Sequence, residues 1–361
     1  MGETRQGGEN KKILSALRNL YLHFPFCRRK CGYCALHSRA GTSEAARAGY
    51  AGSLASALGS LDCLDGKLST VYFGGGSPAL CDLSGIFSAL RPRLDSSSEF
   101  TVELHPLDVT DDLLLRLREG GVNRISMGVQ SLEDAVLADM GRGYGFYEAE
   151  RAFAGVKRHF DNAGIDLIVG YPGETAALSP RHARLARWGL RHCSVYSLMV
   201  EEKTRLWKAV HEKRVEVPDD ETVMNRLRVV AAFMGEIGLE RYEISNYAVR
   251  GSECRHNLAV WRGEDYVGLG EGACGRMGLL RTSNYRFPGE SVETLSPERD
   301  AKERAIFALR TREGLDAGKF PEWKEALERF VGEGLLLREG DVYRLTGRGM
   351  EVCDTVLAEI V

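Results

Sequence analysis

Short apolar runs alternate with longer segments of helical spacing through the first two hundred residues. The runs at 20–24, 70–73, 100–104, 124–127, 165–169 and 193–198 read as buried strands, most of them ending in glycine or a polar residue. Between them, apolar positions recur at helical intervals over 43–61, 83–94, 111–119, 147–160 and 180–190. Six strands alternating with helices predict a parallel α/β architecture. The chemically unusual residues gather at one place in that pattern. Cys27, Gly74-Gly75-Gly76-Ser77-Pro78, Glu103, Gln130 and Gly170-Tyr171-Pro172-Gly173 all fall at or just beyond the carboxyl ends of the expected strands. That edge is the functional rim of a β/α barrel, and also the ligand-binding edge of a doubly wound sheet.

The later chain reads differently. A helix over 219–237 leads into a less regular stretch containing Tyr242 to Ala248, Cys254-Arg255-His256-Asn257 and Trp261. The glycine-rich 268–273 that follows lacks the strand-to-helix setting of a dinucleotide fingerprint. The last sixty residues read as helix, helix, hairpin and helix, with strands 335–338 and 342–345 and Thr346 opening the final helix. This pattern is winged-helix-like. Its ten Lys/Arg against twelve Asp/Glu over 301–361 give no electrostatic case for DNA. The expected division is an arm at 1–12, a barrel at 13–211, an extension at 212–299 and a C-terminal unit at 300–361.

Composition narrows the class. Hydrophobic residues at 43%, charged residues at 27% and a net charge of −3 describe an ordinary globular protein with no nucleic-acid partner. No apolar run approaches the roughly eighteen residues that a membrane span needs, and 1–12 is polar, without the core of a secretory signal. Nine cysteines, an odd number with three clustered, point to a reducing cytoplasm rather than a disulfide framework. The scattered six (Cys63, Cys81, Cys193, Cys254, Cys274 and Cys353) read mostly as small apolar fillers.

The clustered three carry chemistry. Cys27, Cys31 and Cys34 stand at C-x3-C-x2-C spacing just after the first strand. Thiolates suit iron–sulfur clusters or zinc. Three ligands without a local fourth favour a four-iron cluster with one iron left open, although His37 could complete a zinc site. The glycine turn at 74–76 lets backbone approach a ligand, and it lacks the lysine of a phosphate loop. Glu103 is a candidate partner for a ligand ammonium or ribose, or a simple rim ion pair.

With Tyr33 directly before Cys34, the cysteine loop resembles that of the radical S-adenosylmethionine (SAM) superfamily. Gly128-Val129-Gln130-Ser131, Met140-Gly141-Arg142 and Ile165-Asp166-Leu167-Ile168 resemble its oxygen-independent coproporphyrinogen III oxidase-like branch. The resemblance implies a partial (β/α)6 barrel with a C-terminal helical, winged-helix-like domain. It further implies a 4Fe-4S cluster on Cys27, Cys31 and Cys34, with SAM on its open iron. SAM would be surrounded by Tyr21, Gly75, Gly76, Ser77, Glu103, Gln130, Arg142 and Asp166. An electron donor would feed the cluster, which then cleaves SAM to a deoxyadenosyl radical.

Within the branch, Tyr242 to Ala248 and Cys254 to Asn257 are most similar to HemW-type heme chaperones, which pass heme to an acceptor protein. The oxygen-independent coproporphyrinogen III dehydrogenases of porphyrin biosynthesis carry another cysteine two residues after the third. Leu36 stands there in this chain, and only twenty-six residues precede Cys27, so dehydrogenase activity is not expected. HemW-type proteins usually have Asp-Phe where this chain has Ala35-Leu36, and a tyrosine where it has Val260. Their His-Asn motif maps to His256 and Asn257, with Trp261 as a packing surface for heme. The bland alternative is that His256 and Asn257 pin a loop. A radical SAM methyltransferase or cyclopropanase of the same branch also remains open.

Overall fold

A computed structural model describes residues 17–61, 66–175, 178–284 and 291–360. The expected arm at 1–12 and Cys63 lie outside them. The six expected strands form, as β1 (Asn19–Phe24), β2 (Thr70–Gly75), β3 (Glu99–Leu104), β4 (Arg124–Gln130), β5 (Asn162–Val169) and β6 (His192–Ser197). They pair in parallel and in sequence order, β1 to β6. A doubly wound sheet reverses its strand order at a switch point, whereas this order never reverses. The sheet therefore belongs to the barrel class, open between its two edge strands.

Three strands from the later chain extend this sheet. β9 (Val267–Leu269) lies parallel beside β1, and β8 (Asn246–Ala248) runs antiparallel to β6 and carries β7 (Glu240–Arg241) on its outer edge. The core follows the same path: Val230, Phe233, Leu239, Tyr247 and Leu269 pack into the apolar cluster that holds Leu20, Phe73 and Val102.

Strand alternation sets what faces inward. Leu20, Leu22 and Phe24 are fully buried in the core, while Tyr21 and His23 face the other side of β1. The register then lines Tyr21 up with Tyr72, Tyr72 with Thr101, and Thr101 with Arg124 across four strands. This interior row is polar in a sheet otherwise buried on both faces.

Besides two unexpected helices, Asp134–Met140 and Arg205–His211, the helices depart from expectation in three places. The helix expected over 83–94 ends at Leu90, where Pro92 sits in a short 3-10 turn at Arg91–Arg93. The one expected over 180–190 ends at Leu185, ahead of Gly189 in the left-handed region (φ 66°). The stretch read as an irregular loop contains a helix, Arg255–Trp261. Glu99 explains that helix, because its carboxylate accepts from the backbone N–H groups of Arg255 and His256, both at 3.1 Å. Capping from a distant strand leaves no local signal.

The last residues build a second core. Helices Pro297–Leu309, Lys324–Gly332 and Cys353–Ile360 pack against β13 (Leu315–Asp316), β14 (Leu336–Glu339) and β15 (Val342–Leu345). Thr346 caps the helix after the hairpin, accepting from Gly349 N at 3.0 Å, as expected. A three-stranded antiparallel sheet, β10 (Ala273–Met277), β11 (Leu280–Asn284) and β12 (Ser291–Thr294), bridges the sequence between the two cores. Among the described residues no helix is long and apolar enough to cross a membrane.

Candidate functional site

The cysteine loop leaves β1 and is anchored at several points by backbone bonds. Cys27 N donates to Arg39 O at 2.9 Å, Arg39 N to Pro25 O at 2.8 Å, Gly32 N to Met140 O at 3.1 Å, and Leu206 N to Gly32 O at 2.9 Å. Cys27, Cys31 and Cys34 are each half-buried and free of disulfides. Burial pushes the Cys27 thiol above its ordinary pKa. Beside Cys31 stands a compensating charge: Arg142 Nη1 lies 3.3 Å from its Sγ. That guanidinium is oriented by Gly128 O at 2.6 Å and the Tyr144 hydroxyl at 3.0 Å. A guanidinium against this sulfur would complement the negative charge of a thiolate-ligated cluster.

The donor set fits a cluster better than zinc. Among the described residues no three His, Cys, Asp or Glu side chains converge on a single ion. A four-iron cluster ties each thiolate to a different iron, so its ligands need not meet at one point. His37, the fourth ligand of the zinc alternative, instead has its Nε2 3.4 Å from Glu271.

The glycine turn meets this loop directly. Gly76 N donates to Phe24 O and Ser77 N to Phe26 O, both at 2.7 Å. A Cβ on Gly76 would overlap the Phe26 carbonyl. Gly75 has φ of 102°, and a Cβ there would lie 2.5 Å from the His23 ring. Both glycines are thus demanded by the protein's own packing, before any ligand is considered. The Ser77 hydroxyl donates to Asp108, whose other oxygen pairs with Arg28 of the cysteine loop. Sequence reasoning missed Asp108, which is buried and joins the two loops through its side chain.

Inside the rim sit two half-buried carboxyls. Glu103 accepts from Tyr72 Oη at 2.8 Å and Gly75 N at 3.1 Å. Burial, reinforced by the charge of Asp166, pushes its pKa up to about 7. Burial also raises Asp166, which accepts from Ser126 Oγ at 3.1 Å. Tyr21 lies with its hydroxyl 3.0 Å from His23 Nδ1 and its ring stacked on Tyr72. Gln130 ends β4 at a register shift, with φ of 72°, a strained value for a residue other than glycine.

A cavity of about 1290 Å³ opens from this interior toward the second core. Tyr21, Tyr72, Glu103, His256, Asn257 and Trp261 are among the residues that line it. His256 is buried, its Nδ1 2.8 Å from Thr70 Oγ1 and its ring 5.2 Å from that of Tyr72. Burial, with the nearby Arg124 charge, pushes its pKa down to about 3, so the imidazole is neutral. The pinning bonds of the bland alternative are therefore present. Among the described residues, Nε2 makes no hydrogen bond.

The radical SAM superfamily profile matches residues 21–185. Over 371 aligned positions the chain is 31% identical to the heme chaperone HemW of Mycobacterium tuberculosis, covering 95% of this chain and 94% of that one. It is 32% identical to HemW of Bacillus subtilis, covering 92% and 96% of the two chains. The chain belongs to the HemW family of the radical SAM superfamily. Members of the superfamily carry a 4Fe-4S cluster and use SAM. The structure of Escherichia coli coproporphyrinogen III oxidase (HemN), at 19% identity, superposes with a TM-score of 0.80 over 98% of this chain and 93% of that one. That likeness is one of fold.

Proposed function

We propose that the chain is a heme chaperone that binds heme in the cavity beneath its cofactor rim and passes it to an acceptor protein in the cytoplasm. Cys27, Cys31 and Cys34 hold the cluster, with Arg142 steadying the Cys31 thiolate. Tyr21, the 75–77 turn, Glu103, Gln130, Arg142 and Asp166 surround SAM, the two carboxyls facing its cationic and hydroxyl groups. A cluster held by these cysteines would supply one-electron reduction of the bound SAM, fed by a donor protein. The expected division of the chain is kept in this reading: barrel 13–211, extension 212–299 and C-terminal unit 300–361.

The observation that carries the proposal is the likeness to heme chaperones over most of both chains, combined with a cavity lined by Tyr21, Glu103 and the His256 segment. That cavity exceeds the ~300–1,000 Å³ usual for small ligands and has room for a flat macrocycle. His256 offers Nε2 to the heme iron while Thr70 holds Nδ1, the arrangement that fixes a ligating imidazole's orientation. Leu36, exposed at 55%, occupies the place of the dehydrogenases' extra cysteine.

Titration of the anaerobically reconstituted protein with hemin tests this. The expected result is saturation near one heme per chain with a shifted Soret band. Absence of saturable binding refutes the proposal.

A further inference from the structure

One cation on the cavity wall has no use in the site described so far. Arg310 follows the helix Pro297–Leu309 and lines the cavity beside Trp261. A guanidinium carries five N–H donors and no acceptor. Among the described residues, those donors make neither a hydrogen bond nor an ion pair, and Arg310 Nε is buried without a partner. Trp261 Nε1 beside it is buried without a partner too. The guanidinium carbon lies 5.0 Å from the indole centre, a cation–π contact that steadies the group and satisfies none of its N–H donors.

The other charges on this wall are engaged or turned away. Arg228 forms a two-pronged pair with Glu351, both contacts at 2.7 Å. Arg241 donates to the carbonyls of Glu243 and Ile244. Glu243 feels the Arg310 charge without a hydrogen bond or ion pair to it; its carboxylate accepts from Ser245 N at 2.9 Å and from the Asn246 side chain, and Asp354 is exposed. Around them the wall is apolar, with Met199, Met224, Leu227, Ile244, Val260 and Val352.

We propose that Arg310 is the carboxylate anchor of the cavity. Its guanidinium fork, stacked on Trp261, takes a peripheral carboxylate of a ligand whose broad apolar body lies on the methionine and aliphatic wall. A porphyrin bearing propionates has that chemistry. This inference rests on the heme-binding proposal and names the residue that recognises the edge of the macrocycle.

Iron-free protoporphyrin IX and its dimethyl ester provide the test, because neither offers iron to His256 and they differ only in the carboxylates. Both are titrated into the reconstituted wild type, Arg310→Met and Arg310→Lys. The wild type is expected to bind the diacid tighter than the ester by on the order of tenfold. Arg310→Met weakens the diacid alone and brings the ratio near one, and Arg310→Lys falls between, keeping the charge without the fork. Equal wild-type affinities for diacid and ester overturn the anchor while hemin binding leaves the chaperone proposal standing. A ratio unchanged in Arg310→Met does the same. Failure of hemin and both porphyrins to bind overturns the proposal and the anchor together.

Discussion

Replacing Glu103 with glutamine isolates the electrostatics of the rim. Burial and the Asp166 charge raise Glu103 from 4.5 to about 7, some 2.5 units. Each unit corresponds to about 1.4 kcal/mol, so the ionised carboxylate costs the fold up to about 3 kcal/mol. The sign follows from proton binding. Below about pH 4.5 the group is protonated in both folded and unfolded chains, and no penalty exists. Between about pH 4.5 and 7 the unfolded chain releases the proton while the folded chain keeps it, so stability falls as pH rises; above 7 the loss is complete. Glutamine removes this dependence and forfeits part of the bonding to Tyr72 and Gly75, a cost of about 1 kcal/mol at every pH. Urea unfolding of wild type and Glu103→Gln, without added SAM, should therefore show a relative swing of about 2–3 kcal/mol in favour of glutamine between about pH 5 and 8.5. Wild-type affinity for SAM should rise as pH passes 7, because the cationic sulfonium ligand meets an ionised carboxylate, and Glu103→Gln should lose that rise. Parallel stability curves across the pH range would refute the claim that burial holds Glu103 protonated.

Three further outcomes are expected. Cys27→Ala, Cys31→Ala and Cys34→Ala should each abolish cluster iron and its thiolate-to-iron absorption after reconstitution, whereas Cys193→Ala and Cys353→Ala, in apolar surroundings, should retain both. Gly76→Ala should lower the thermal midpoint even without SAM, by on the order of 1–3 kcal/mol of stability, because its Cβ meets the Phe24 and Phe26 carbonyls. His256→Ala should shift the heme Soret band by an amount constant between about pH 5 and 8, since the imidazole stays neutral down to about 3, while Val260→Tyr should leave heme affinity unchanged or tighter; an unchanged spectrum in His256→Ala would reduce His256 to a pinning residue.

The rim was legible because its signals are local. Cys27, Cys31 and Cys34 declare themselves by spacing, and strand ends marked by glycine or a polar residue place Glu103 and Gln130 on one edge. The parallel order of β1 to β6 followed from alternation alone. What stayed hidden depends on contacts distant in sequence. Glu99 caps a helix that begins 156 residues later, so the Arg255–Trp261 helix had no visible start. Asp108 joins the glycine turn to the cysteine loop by pairing with Ser77 and Arg28. Its partners are chosen by the fold, and nothing beside it in the chain marks it. The glycine turn was read as room for a ligand, yet the His23 ring and the Phe26 carbonyl already require glycine at 75 and 76. Nothing beside Arg310 in the chain marks it, because its place over Trp261 with Nε unpaired is set by packing between elements distant in sequence.

The most direct test of heme handling against porphyrin chemistry is made on one reconstituted preparation supplied with SAM, a reductant and carboxyl-labelled coproporphyrinogen III, with hemin titrated in parallel. The account predicts saturable binding of about one hemin per chain and no labelled carbon dioxide above the protein-free control. Labelled carbon dioxide released in step with SAM consumption, without saturable hemin binding, would contradict it and make the chain a decarboxylating dehydrogenase.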